Sequence, residues 1–356
     1  MSNLPSCSAE AVETKKVVCA LFIIGVLGLI SSFALYQTKQ PQQTVVIYTS
    51  VDQVYSEPIL KDFEKKTGIK VLAVYDVEAT KTTGLVNRLI AEKSRPQADV
   101  FWSGEFVQTL LLKQEGVLSV YRSPAAGDIP AQYVDPDGYW TSLGARARVL
   151  LVNTKLVSPA EYPKSIFDLL GPDWSGDDIG MPYPLFGTSA TQAAALYAAL
   201  GADQARDYYV RLKSRGIRVV DGNSVVRDLV ASGQLRVGFV DSDDGCKALR
   251  DGAPVAIIFP DQEEGGLGSL IIPNTLALIT NAPHPREGQA LIDYLLAREV
   301  EQQLVAVGWI QISLHENGAN SSCADMSNIK YMYVRFPEIF AQFQPAMKDL
   351  SEIFIQ

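Results

Sequence analysis

Acidic side chains crowd one short stretch of this 356-residue chain. In Gly233–Leu249, GQLRVGFVDSDDGCKAL, a turn leads into a short apolar strand (Arg236–Val240), and the strand runs out into Asp241, Ser242, Asp243, Asp244 and Gly245 before a helix begins. Carboxylates held this close raise one another's pKa unless a cation neutralises them. Oxygen donors of this kind suit a hard metal ion. The end of a strand in an α/β sheet is also where ligands bind. The plainer use of the same residues is to cap the helix that follows.

Other strand ends carry compatible groups. Ser50 and Asp52 follow the run TVVIY at Thr44–Tyr48, and Glu105 follows ADVFW at Ala98–Trp102. The stretch Gly187-Thr188-Ser189-Ala190-Thr191 opens a helix, where unpaired backbone N–H groups and the positive end of the helix dipole favour an anion. A cation held by Asp52, Glu105, Asp243 and Asp244, with a small anion near Ser50, Thr188, Ser189, Ala190, Asp241 and Ser242, is the expected site. The aromatics Tyr48, Trp102, Trp140 and Tyr183 also lie near strand ends and would suit an organic cation.

Positioning these groups takes two sheets. From Thr44 to Gln114 the pattern alternates strand and helix, which predicts a doubly wound parallel sheet. A second alternation runs from Gly180 to Pro260. Two long apolar strands, one within Tyr139–Val152 (RARVLLVNT) and one at Gly268–Thr280, are expected to cross between the two parts. The predicted fold is therefore α/β, with two doubly wound lobes joined by two hinge strands: a first lobe at 44–144 and 272–356, and a second at 145–271. A tail helix is expected over Met326–Ile355, with Ile339, Phe340, Phe343, Met347, Leu350 and Phe354 on one face. Tyr208-Tyr209 falls inside a helix away from any strand end and reads as packing.

Composition narrows the function. With 47% hydrophobic and 20% charged residues the chain is globular. Its net charge of −9 with no basic run argues against nucleic acid. Two histidines, His284 and His315, leave little for zinc or a histidine-dependent triad. Residues 1–43 form a leader and linker. Lys15 and Lys16 precede the apolar run Val17–Tyr36, which reads equally as a membrane anchor or as a cleaved signal, and either puts the rest of the chain outside the cytoplasm. Cys246 and Cys323 are expected as two isolated thiols rather than a disulfide.

Taken together, FEKKTGIKV, RPQADVFWSGE, MPYPLFGTSATQAAAL, DGNSVVRDLVASGQLRVGFVDSDD and GGLGSLIIPNTLALITNAPHPREGQALIDYLL resemble the type II periplasmic solute-binding proteins of ABC transporters, and within them the ferric-iron-binding, transferrin-like branch. The resemblance covers Val45 to about Leu314. It implies a monomeric, non-enzymatic binding protein that serves a membrane permease, with iron or another divalent or trivalent metal ion as its ligand. A first-loop ligand then falls on Asp52, the glutamate ligand on Glu105, and the anion seat on Thr188, Ser189 and Ala190. The branch's adjacent tyrosine ligands fall on Asp243 and Asp244. That departure also admits an organic cation or an aminophosphonate- or thiamine-type ligand, and the same fold would equally serve a membrane-tethered ligand-sensing module. The FVDSDDG stretch separately matches the nucleophile loop of aspartyl-phosphate hydrolases. Such a loop opens its fold, whereas this one lies deep in the second lobe.

Overall fold

Unbroken runs of β-branched residues make strands buried on both faces, and β1 (Thr44–Thr49) is of this kind, with Val45, Ile47 and Tyr48 almost wholly buried. The computed structural model describes residues 42–76, 82–323, 326 and 328–355. After β1 come α1 (Gln53–Thr67), β2 (Lys70–Tyr75), α2 (Thr83–Ala91), β3 (Val100–Ser103), α3 (Val107–Gln114) and the short β4 (Leu118–Ser119). Gly68 ends α1 in the left-handed region, at φ 75°, where a side chain would be disfavoured. β1 lies between β2 and β3 and runs parallel to both, as the alternating pattern predicts.

The next strand, β5 (Thr141–Asn153), is buried along its whole length. Its first half pairs antiparallel with β10 (Ile271–Ile279), which in turn pairs with β3. Its second half, Arg148–Val152, pairs with β8 (Val237–Asp241) and, on to Asn153, with β9 (Val255–Ile258). Between β5 and β8 lie β6 (Ile179–Pro182), α4 (Gly187–Leu200), α5 (Ala202–Ser214), β7 (Arg218–Val220) and α6 (Asn223–Ala231). Then α7 (Ser242–Arg250) precedes β9, and α8 (Pro285–Leu295), α9 (Arg298–Val307) and α10 (Phe336–Phe354) complete the chain. The strand order is β2-β1-β3-β10-β5-β8-β6-β7. Two parallel groups thus flank a central antiparallel pair, and β5 belongs to both.

The β5–β10 ladder is broken once. Pro273 faces Ala145 while Asn274 faces Leu143, so Gly144 has no residue opposite it. This is a β-bulge, a device that bends a strand and re-aims its neighbours. Gly144 sits at φ 55°, and a Cβ there would lie 2.3 Å from the Ile310 side chain. Only glycine meets both conditions.

Several expectations need correction. The acidic stretch after β8 is not a loop: α7 begins at Ser242, so Asp243 and Asp244 occupy its first turn and complement the helix dipole. The tail is helical only from Phe336, with Pro337 in the first turn, where its missing N–H costs nothing, and with Pro345 inside the helix. That helix is expected with the first lobe; its Ile339 and Phe343 pack with Phe106 and Val107, while Ala346, Leu350 and Phe354 pack among Leu196, Tyr197 and Tyr209 of α4 and α5. Tyr208 and Tyr209 are buried in the same cluster, as packing residues. Cys246 and Cys323 are not isolated thiols but form a disulfide, with Cα atoms 5.7 Å apart. Sequence separation hides this pairing, since the chain after α9 returns alongside β5 through an Ala145–Ile312 bridge. The leader, including Val17–Tyr36, lies outside the described residues. Among the described residues no helix is long and apolar enough to cross a membrane.

Candidate functional site

The strand ends of the two parallel groups face a cleft. Ser50 and Asp52 reach it from the end of β1, Gly104 and Glu105 from β3, and Thr188 and Ser189 from α4. Asp241, Asp243 and Asp244 line it from the β8–α7 junction, together with Arg146 of β5 and Trp309. Water-sized molecules find about 40 Å³ there, measured at their centres, room for roughly three waters. A ligand held in this conformation is therefore small. A wider recess of about 890 Å³ elsewhere is mainly apolar, and its Lys113 is already paired with Asp135 and Asp137.

Two of the expected site residues do not reach the cleft. Ala190 packs in an apolar cluster with Phe106 and Ile339. Ser242 is buried, accepting from the Ala147 N–H at 3.1 Å and donating to Gln311 at 2.8 Å. Of the expected aromatics Tyr183 alone lines the cleft, while Tyr48, Trp102 and Trp140 are core residues. Trp309 and Phe186 supply the other aromatic walls.

The site's central feature is a pair of buried arginines missing from the expected set. β5 carries Arg146 and Arg148 two residues apart, so both project from one face. Arg148 donates from Nη1 to Asp241 at 2.7 Å, and also to Thr188, Ser189, Gln192 and Asn223. Arg146 donates from Nε to Asp241 at 3.0 Å and lies 3.5 Å from Asp243. The Asp241 carboxylate also accepts from Thr188 at 2.8 Å and Asn223 at 3.1 Å. Burial alone would raise its carboxyl, but the charges of Arg148 and Arg146 outweigh burial and hold it below the usual carboxylate range. Asp241 thus anchors an internal network. The signal was legible: charges inside a fully buried strand are tolerated only with partners, and RAR breaks the apolar run of β5.

Arg146 differs from Arg148 in having capacity left. Its Nη1 approaches Asn274 at 3.4 Å, while Nη2 meets no acceptor among the described residues. That nitrogen would lie 3.3 Å from a Cβ on Gly104, so the glycine leaves room for it at the cleft wall. A guanidinium edge of this kind recognises planar or tetrahedral oxyanions. On the same cleft Asp244 accepts from Arg227 at 3.0 Å, and Asp52 and Asp243 add negative charge. Among the described residues no group of three or more carboxylate, histidine or cysteine side chains converges to hold a metal ion.

Glu105 lines the cleft but is engaged at both oxygens. It accepts from the N–H groups of Val107 at 2.6 Å and Gln108 at 3.0 Å, which open α3, and from the Thr191 hydroxyl at 2.8 Å. Burial pushes its carboxyl up to about 7, against those three bonds and the charge of Arg146. An acid whose pKa is raised by folding favours the folded state below its unfolded value, and that contribution is lost as pH rises through the folded value. Wild-type protein should therefore lose up to about 3 kcal/mol of stability between pH 4.5 and pH 8 relative to Glu105→Gln. Urea unfolding of both proteins across that range checks it, and parallel curves would refute it.

Residues 95–320 match the model of the family described as "Bacterial extracellular solute-binding protein". The chain is similar to the Fe(3+)-binding periplasmic protein of Serratia marcescens, 24% identical over 75% of this chain and 78% of that one. It is also similar to the putative 2-aminoethylphosphonate-binding periplasmic protein of Salmonella paratyphi A, 26% identical over 80% and 83%. Among solved structures, iron-bound HitA from Pseudomonas aeruginosa superposes with a TM-score of 0.77 at 21% identity, covering 86% of this chain and 99% of that one. The fold is that of a type II periplasmic binding protein. The family match, spanning the cleft residues from Gly104 to Trp309, places the chain among the bacterial extracellular solute-binding proteins, as a binder of a solute and not an enzyme.

Proposed function

We propose that this chain is the extracytoplasmic, monomeric solute-binding component of an ABC transporter, and that its ligand is a small zwitterion of the 2-aminoethylphosphonate type. The observation that carries the reading is the Nη2 edge of Arg146 at the cleft wall. An oxyanion seats there, close to the N-terminus of α4 with its free-facing amides. The cationic end of the ligand lies toward Asp52, Asp243 and Asp244, so that recognition uses both signs of charge. The halves 44–144 with 272 onward, and 145–271, close about β5 and β10, and the permease recognises the closed form. The similarity to a putative 2-aminoethylphosphonate-binding protein supports this choice.

Iron is the second reading. It is favoured by the three aspartates Asp52, Asp243 and Asp244 on one cavity and by the iron-binding relative from Serratia. Calorimetric titration with 2-aminoethylphosphonate, alongside elemental analysis of protein purified from its own compartment, separates the two. Saturable one-to-one binding of 2-aminoethylphosphonate with no metal is the expected result. Stoichiometric iron and no heat with the phosphonate would replace the first reading by the second.

A further inference from the structure

The Arg146 guanidinium is gripped on several sides. Asp241 fixes its Nε edge at 3.0 Å. One face lies over the indole of Trp309, with the guanidinium carbon 4.4 Å from the ring centroid. The Trp309 Nε1–H donates to the Asn274 side-chain oxygen at 3.1 Å, and the same oxygen faces Arg146 Nη1 at 3.4 Å. Asn274 is the residue that the Gly144 bulge displaces in register, and its amide in turn reaches the Gly144 carbonyl at 3.5 Å. Ile310, next to Trp309, fills the space that a side chain on Gly144 would take. Bulge, amide and indole therefore form one unit behind the arginine, and Tyr55 backs the indole at 5.2 Å.

A guanidinium is useful for oxyanion recognition only if its plane and its open edge are fixed before the ligand arrives. Asp241 alone leaves the group free to turn about Nε. The indole face blocks that rotation, and the shared Asn274 oxygen sets which nitrogen points inward. We infer that Trp309, backed by Asn274 and the Gly144 bulge, is a positioning residue that fixes which edge of Arg146 faces the ligand. This rests on the reading of Arg146 as the anion seat, and it adds that affinity depends on a residue from the segment after α9.

The test compares wild type, Trp309→Phe and Trp309→Leu. Nitrogen-15 exchange spectroscopy follows rotation of the Arg146 Nη groups without ligand, and calorimetry follows 2-aminoethylphosphonate. Slow rotation in wild type, partly kept by the phenyl face in Trp309→Phe and fast in Trp309→Leu, is expected. The dissociation constant should rise about 3- to 30-fold from wild type to Trp309→Leu, the span of a desolvated cation–π contact. Should wild type ignore the phosphonate, the functional reading fails while the rotation measurement still decides this inference. Equal rotation rates in wild type and Trp309→Phe and Trp309→Leu would overturn it, and so would an unchanged dissociation constant in protein that binds.

Discussion

Asp241→Asn is expected to cost the fold about 3–5 kcal/mol in urea unfolding, the range for removing one partner of a buried ion pair. The side chain keeps its shape, so packing is nearly preserved and the loss is electrostatic. Arg146 and Arg148 would then lose the carboxylate that both reach within 3.0 Å, and Asp243, 3.5 Å from Arg146, offsets only part of the buried positive charge. Arg148→Met in the same background should restore part of the loss, because it removes one stranded cation. Strictly additive single and double variants would refute the network, as contacting residues couple by about 0.5–3 kcal/mol.

Arg146→Ala is expected to act on the ligand and far less on the fold. Asp241 keeps Arg148, Thr188 and Asn223 after the change, so the carboxylate remains neutralised. The ligand loses its charge-assisted partner, and truncating one side of a buried charge pair costs about 2–5 kcal/mol, or roughly 30- to 4,000-fold in affinity. Arg146→Lys should recover little of it, because an ammonium cannot hold Nε on Asp241 while offering a second nitrogen to an oxyanion. Binding of 2-aminoethylphosphonate by Arg146→Ala within threefold of wild type would remove Arg146 from the site.

Much of this molecule is legible in its sequence because its strands are buried on both faces and its helices alternate with them. TVVIY, ADVFW and the long runs at β5 and β10 announce themselves by apolar continuity, and the crossing of β5 between two groups follows from its length. The cleft is legible for a related reason: Ser50, Asp52, Glu105, Thr188 and Asp243 all sit where a strand ends or a helix starts. What sequence order does not disclose is who neutralises whom. Asp241 and Asp243 read as a waiting cation site, and Arg146, distant in the chain and embedded in an apolar run, turns the first into scaffold and changes what the second can attract. Glu105 likewise reads as an open ligand until the start of α3 and Thr191 are seen to occupy it. Trp309 and Asn274 have no local signature, since their role exists only where the bulge at Gly144 brings three segments together.

The Cys246–Cys323 link bears on how the protein should be prepared. It staples the segment that carries Trp309 and Gln311 to α7, whose first turn presents Asp243 and Asp244. Material made in a reducing cytosol would lack that staple, leaving the segment behind the arginine held without a covalent link, by the Ala145–Ile312 bridge and the Ser242–Gln311 hydrogen bond. Recombinant samples exported to an oxidising compartment, or refolded with an oxidant, are the ones whose measured affinities would describe the native receptor.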